Sequence, residues 1–212
     1  MHVLAIDTST QDLVTGLVGP DDTVDKVIVG TRAHNELLIP TIEELLAVAG
    51  LNYAALDAVV VGCGPGPFTG LRVGMSTAQA LGVALEIPVH GVCSLDAIAH
   101  GSQGELLVAT DARRKEVYWA TYRDGRRVSG PDVTKPAELK QQAQAVVFPA
   151  HIEPPEHLAG LPRTEISPRA AGLVACAALD QQPEPLVPLY LRRPDAVPPK
   201  AKPVSPALTW DK

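Results

Sequence analysis

Between Leu56 and Leu85 a buried strand, a loop nearly devoid of side chains and a long helix follow one another, and few folds accommodate that succession. The strand, Leu56–Gly62, is an almost unbroken apolar run closed by glycine, the pattern of a strand covered on both faces, so its neighbour is expected to be a parallel strand. In the loop, Gly62, Gly64, Gly66 and Gly70 permit sharp turns or the close approach of another group, while Pro65 and Pro67 stiffen the backbone. Thr69 reads as the N-cap of a helix that runs to about Leu85. Along it Gly70, Gly74, Ala78 and Gly82 recur every four residues and leave one face nearly bare. A helical glycine costs about 1 kcal/mol relative to alanine, so the stripe calls for close packing, against the chain's own sheet or against another subunit. The helix carries too few apolar residues to span a bilayer.

On either side of this unit the pattern repeats in outline. Residues 3–31 read as three antiparallel strands, with the turn-forming run Asp7–Asp12 after the first. A helix is expected over 32–49, its apolar side formed by Leu37, Leu38, Ile42, Leu45 and Leu46, with Gly50 as its stop and Pro40 bending or splitting it. After a short strand at Val89 and a helix from Ser94, a second meander begins near Gly104: strands at 106–110, 116–123 and 126–129, with Asp111 at the first hairpin. Beyond it the pattern predicts a helix at 136–143, a strand at 145–148 and a helix at 168–180. The expected organisation is a first domain over 1–102, a smaller second domain over 103–193 and a proline-rich flexible tail over 194–212.

Composition narrows the function classes. With 46% hydrophobic and 20% charged residues the chain reads as a soluble globular protein. Its formal net charge of −6 gives it no overall electrostatic footprint for nucleic acid, so any RNA connection is expected to depend on a partner. Cys63, Cys93 and Cys176 lie far apart, without ligand spacing, and read as buried free thiols in a reducing cytoplasm. No charged leader followed by an apolar run opens the chain, so a cytoplasmic location without membrane attachment is expected.

Two meander-plus-helix units, each with an aspartate at its first hairpin, resemble the duplicated ribonuclease-H-like α/β architecture of the actin, sugar-kinase and Hsp70 group, here with a truncated second unit. In that group the hairpins grip nucleotide phosphates. Asp7 could hold a metal-bound water while Thr8 and Ser9 donate to phosphate oxygens, although the same residues make a good Asx-type turn without any ligand. Asp111 holds the equivalent place in the second unit, and Arg113, Arg114 and Lys115 beside it form either a solvated hairpin or a polar contact with tRNA or a partner.

More specifically, Val3–Thr10, Arg32–Pro40, Gly64–Gly74, Asp111–Tyr118 and Pro188–Arg192 occur in an order and form similar to the TsaB (YeaZ) family of tRNA threonylcarbamoyladenosine biosynthesis proteins. The resemblance covers residues 1 to about 193 and is strongest in the glycine loop and its helix. It implies a supporting, non-catalytic subunit that pairs with a catalytic paralogue, TsaD, and works with a small ATPase, TsaE. The complex moves threonylcarbamoyl from its adenylate to N6 of the adenosine 3′ of the anticodon in tRNAs reading A-starting codons. ATP and metal are expected in the partner subunits rather than here, tRNA is met through the complex, and a homodimer is expected when the partner is absent.

The residues agree with that role. The paralogue's His-x-x-x-His metal pair has no counterpart, since His90 is followed four residues on by Ser94 and His34 by Leu38. No nucleophile elbow or protease constellation surrounds Ser9, Ser76 or Ser94, although the family has carried a peptidase label. The resemblance and the bare stripe together place a partner interface on His34, Leu37, Leu38, Phe68, Arg72, Gly74, Ala78 and Gly82. The competing reading is a small ATP-dependent phosphotransferase or ATPase that uses Asp7 and Asp111 across a cleft.

Overall fold

The computed structural model describes residues 1–192; the expected tail at 194–212 lies outside them. Strands β1 (Val3–Asp7), β2 (Leu13–Val18) and β3 (Thr23–Ile28) form the antiparallel meander, and β4 (Ala58–Gly62) and β5 (Val89–Val92) add parallel to β1, giving the order β3-β2-β1-β4-β5. All five residues of β4 are buried, as its unbroken apolar run requires. Alternation along the strands sorts their side chains into two cores. Leu4, Ile6, Val59 and Val61 face helices α1 (His34–Val48) and α2 (Phe68–Leu85), whereas Val3, Ala5, Ala58 and Val60 face Ala97 of α3 (Ser94–Ala99) and Leu173 of α5 (Ala170–Ala175).

The second sheet repeats the first. Strands β6 (Glu105–Asp111), β7 (Val117–Arg123) and β8 (Arg126–Thr134) form the meander, and the short β9 (Ala145–Val147) and β10 (Arg163–Thr164) add parallel, in the order β10-β9-β6-β7-β8. This is the duplicated ribonuclease-H-like architecture with a reduced second copy. Helix α3 joins the two sheets: Leu95, Ile98 and Ala99 pack against Val108, Ala120, Tyr122 and Val147, and the Tyr122 hydroxyl donates to Asp96 at 2.9 Å.

Several local expectations are corrected. Helix α1 runs unbroken through Pro40, and the Thr41 hydroxyl donates to the Leu37 carbonyl at 2.6 Å one turn back. Thr69 is not a cap, because α2 already starts at Phe68 after an extended Pro67. The expected helix at 136–143 is only a 3₁₀ turn, Pro136–Glu138, since Leu139 is its one buried residue and helical propensity without an apolar face does not hold a helix in water. The helix at 168–180 shortens to α5, and β8 extends past the expected 126–129 to Thr134. The short α4 (Glu156–Ala159) and β10 have no counterpart in the sequence reading. Packing crosses the expected division at 102/103: α5 sits on β1, β2 and β3, and the Leu189 N–H donates to the Cys63 carbonyl at 2.8 Å, so the end of the described chain returns to the first sheet.

Candidate functional site

At the end of β1, Asp7 is fully buried. One carboxylate oxygen accepts from the Ser9 N–H at 2.8 Å and the Ser9 hydroxyl at 2.6 Å; the other accepts from the Ser94 hydroxyl, at the start of α3, at 2.6 Å. Ser94 also accepts from the Gly64 N–H and donates its own N–H to the Gly64 carbonyl, tying the carboxylate to the glycine loop. Desolvation holds the Asp7 carboxyl above the usual carboxylate range, against the opposing pull of the Ser9 and Ser94 hydrogen bonds.

A raised acid favours folding in its protonated form, and that contribution fades as pH climbs above the ordinary aspartate value of 3.8 through the folded value. Asp7→Asn, which cannot ionise, is therefore expected to gain on the wild type as pH rises. Thermal melts of both proteins at pH 4.5 and 7.5 check this: the gap in Tm should move in favour of the variant at the higher pH, and a constant gap would refute the burial argument.

Thr8 explains part of the bare stripe. Its hydroxyl donates to the Gly70 carbonyl at 2.7 Å and accepts from the Gly74 N–H at 3.1 Å, bridging one turn of α2. A Cβ on Gly70 would stand 2.5 Å from the Thr8 carbonyl oxygen, and one on Gly74 2.5 Å from its hydroxyl. At the far end a Cβ on Gly82 would stand 2.3 Å from a methyl of Val89 on β5, and between them Ala78 is fully buried. The stripe thus packs on the chain's own sheet.

Asp7, Thr8 and Ser9, expected as phosphate or nucleotide contacts, are buried and make internal hydrogen bonds. Asp111 behaves differently: it opens into a cleft of about 410 Å³ between the sheets, accepts from the Arg113 N–H at 2.6 Å, and lies 3.3 Å from both His151 Nε2 and Gln11 Nε2. The two aspartates therefore do not share the cleft, which is lined instead by Thr10, Asp12, Ser167 and Arg169 with Asp111. Sequence reasoning missed the latter part of this set because Ser167 and Arg169 reach the first hairpin from more than 150 residues away, as in the Ser167 hydroxyl's bond to Asp12.

On the interface side, Leu38, Gly74, Ala78 and Gly82 are interior and leave the expected surface. His34 and Leu37 are half-buried, and His34 Nε2 is enclosed without a hydrogen-bond partner. Phe68 is 51% exposed and Arg72 is exposed, with its guanidinium carbon 3.9 Å from the Phe68 ring centre. Tyr190 completes the group from 118 positions along the chain, its ring 5.1 Å from that of Phe68 and its hydroxyl accepting from Arg72 Nε at 3.4 Å. Ile39, Val48 and Val83 are further exposed apolar side chains on α1 and α2.

Among the described residues no group of three or more His, Cys, Asp or Glu is arranged to hold a metal ion, and no helix is long and apolar enough to cross a membrane. His90 is buried on β5 with Nε2 unpaired. Of the three cysteines only Cys63 is fully buried; Cys93 is half-buried and Cys176 exposed. Burial pushes the Cys63 and Cys93 thiols up to about 11, which keeps them protonated and poorly nucleophilic. At the second hairpin Arg113, Arg114 and Lys115 all adopt left-handed backbone, with φ of 61°, 53° and 61°. That conformation costs a non-glycine residue about 1–2 kcal/mol.

The family described as TsaD, tRNA N6-adenosine threonylcarbamoyltransferase, matches residues 28–164. YeaZ from Pseudomonas aeruginosa superposes with a TM-score of 0.69 at 28% identity, over 82% of this chain and 89% of that one. TsaB of Escherichia coli is 37% identical over 128 residues, 58% of this chain and 55% of that protein. The chain belongs to the TsaB (YeaZ) family. A protein of Mycobacterium tuberculosis described as uncharacterised is 54% identical to this TsaB-family chain over 202 residues, 92% of the one and 94% of the other. The match to the E. coli TsaB thus spans about half of that relative's length, whereas the mycobacterial match is nearly end to end.

Proposed function

We propose that the chain acts in tRNA threonylcarbamoyladenosine biosynthesis, as the supporting subunit of the complex that moves threonylcarbamoyl from threonylcarbamoyl-AMP to N6 of the adenosine 3′ of the anticodon. In this reading it pairs with the catalytic paralogue TsaD, TsaE acts on the assembled pair, and tRNA is met through the complex. ATP and metal belong to the partner subunits. The observation that carries the reading is the exposed cluster that Phe68 and Arg72 of α2 form with Tyr190 in a TsaB-family chain. Aromatic and arginine side chains are enriched in interface hot spots. With Ile39 and Val48 on α1 and Val83 on α2, the cluster supports a pairing face that could also take a second copy of the chain when TsaD is absent.

The test is complementation. Cells depleted of the chain should lose threonylcarbamoyladenosine from digested bulk tRNA, read by mass spectrometry, and regain it with the wild type. Phe68→Ala combined with Arg72→Glu should bind TsaD at least about tenfold more weakly and restore the nucleoside poorly, with its own melting temperature unchanged. Unaltered threonylcarbamoyladenosine on depletion would end the proposal; full activity of the double variant would move the pairing face elsewhere.

A further inference from the structure

Beside the β6–β7 hairpin lies a groove of about 700 Å³ that the pairing face does not use. Four cations line it, Arg113, Arg114 and Lys115 from the hairpin tip and Lys135 from just beyond β8, together with the apolar Ile152, Pro154 and Pro155. Two carboxylates reach the same groove, Asp111 and Glu153, and the first already accepts from the Arg113 N–H and lies against His151. Lys135 faces Glu138 at 3.8 Å, but both side chains are more than 60% exposed, so that pair is weakly held. In a chain of net charge −6 the groove is thus locally positive.

The hairpin holding these cations is neither relaxed nor loose. A turn that only connects two strands would place glycine or asparagine at left-handed positions, yet three successive ones here carry Arg, Arg and Lys. The tip is braced from outside the sheet by Arg192, which pairs with Glu116 and donates to the Arg113 carbonyl at 3.4 Å. Strain accepted at a braced tip fits side chains that are needed where they stand.

We infer that this groove binds the phosphodiester backbone of RNA, a step that rests on the tRNA reading above and adds a direct contact to it. Phosphate oxygens suit the lining cations, whose guanidinium groups offer them paired donors, and the apolar lining residues suit the face of an unstacked base or a ribose.

The experiment is fluorescence anisotropy of a labelled tRNA transcript with the full chain, at salt from about 50 to 200 mM. Lys115→Asn with Lys135→Gln removes two lining charges at exposed positions, and asparagine tolerates left-handed backbone. Affinity should fall about tenfold and the salt dependence should become shallower by about 1.5 in log–log slope. The control, Arg126→Gln with Lys140→Gln, makes the same change in net charge at exposed sites outside the groove and should stay within about twofold of the wild type. Equal losses in both double variants, absence of salt-dependent binding by the wild type, or loss of TsaD binding with RNA binding intact would each overturn the inference. Because the nucleoside assay is separate, the two ideas fail separately. Depletion that abolishes threonylcarbamoyladenosine while the groove variant binds RNA normally removes only this contact. RNA binding through the groove with the nucleoside unchanged removes only the pathway reading.

Discussion

Gly62→Ala is expected to lower the melting temperature by roughly 10–15 °C, although it adds one methyl group. Gly62 ends β4, directly beneath the sealed aspartate. A Cβ there would stand 1.8 Å from an Asp7 carboxylate oxygen and 2.6 Å from the Ser94 hydroxyl. Neither is the free end of a flexible side chain: Asp7 is held by three hydrogen bonds, and Ser94 is fixed at the start of α3. The methyl must expel the carboxylate from its donors or push β4 from β1. Overpacking costs about 1–3 kcal/mol and an unsatisfied buried group about as much again. The combined penalty of about 3–5 kcal/mol corresponds to a fall of roughly 10–15 °C in Tm for a chain of this size. The cause can be isolated with Asp7→Ala, which removes the obstructing carboxylate. The double variant should melt well above the sum of the single effects, and strict additivity would show that the clash lies elsewhere.

Ala78→Leu carries the second large effect, and it separates the two readings of the bare helix face. If the stripe met a partner, the larger side chain would block association and leave the subunit folded. Ala78 is instead fully buried in the core formed by α1, α2 and the first sheet, in the same cluster as Val59, Leu71 and Met75. Gly74 and Gly82 on either side hold α2 so close to the sheet that no adjacent space can receive three more carbons. A loss of about 2–3 kcal/mol is expected, read as a Tm fall of about 5–10 °C in calorimetry. Val83, 81% exposed on the same helix, supplies the control: Val83→Asp should leave Tm nearly unchanged. An Ala78→Leu protein that melts like the wild type but no longer associates would restore the stripe to the interface.

Much of the fold was legible because its signals are local. The apolar run of β4 specified a strand buried on both faces, and the structure pairs it in parallel with β1 and β5. The two meanders could be read from alternation and turn residues, and their repetition resembled the duplicated architecture that the two sheets show. Weak elements were misjudged where packing decides: the expected helix at 136–143 lacks an apolar face, and β10 has only two residues, Arg163 and Thr164, to announce it.

The site was less legible, for a physical reason that Thr8 and Tyr190 illustrate. Spacing along α2 specifies that Gly70, Gly74, Ala78 and Gly82 share a face, because helical geometry is a property of the local chain. It does not say what that face meets. The answer, a threonine hydroxyl 62 and 66 positions away bridging Gly70 and Gly74, exists only once the strand and helix are packed. By the same route Asp7 gained Ser94 as a hydrogen-bond partner, and Phe68 and Arg72 gained Tyr190 as a neighbour. The sequence by itself determined the strongly patterned elements, their order and the faces they carry; tertiary packing alone decided which faces are interior, because burial and hydrogen bonding depend on partners that are distant along the chain and adjacent only in space.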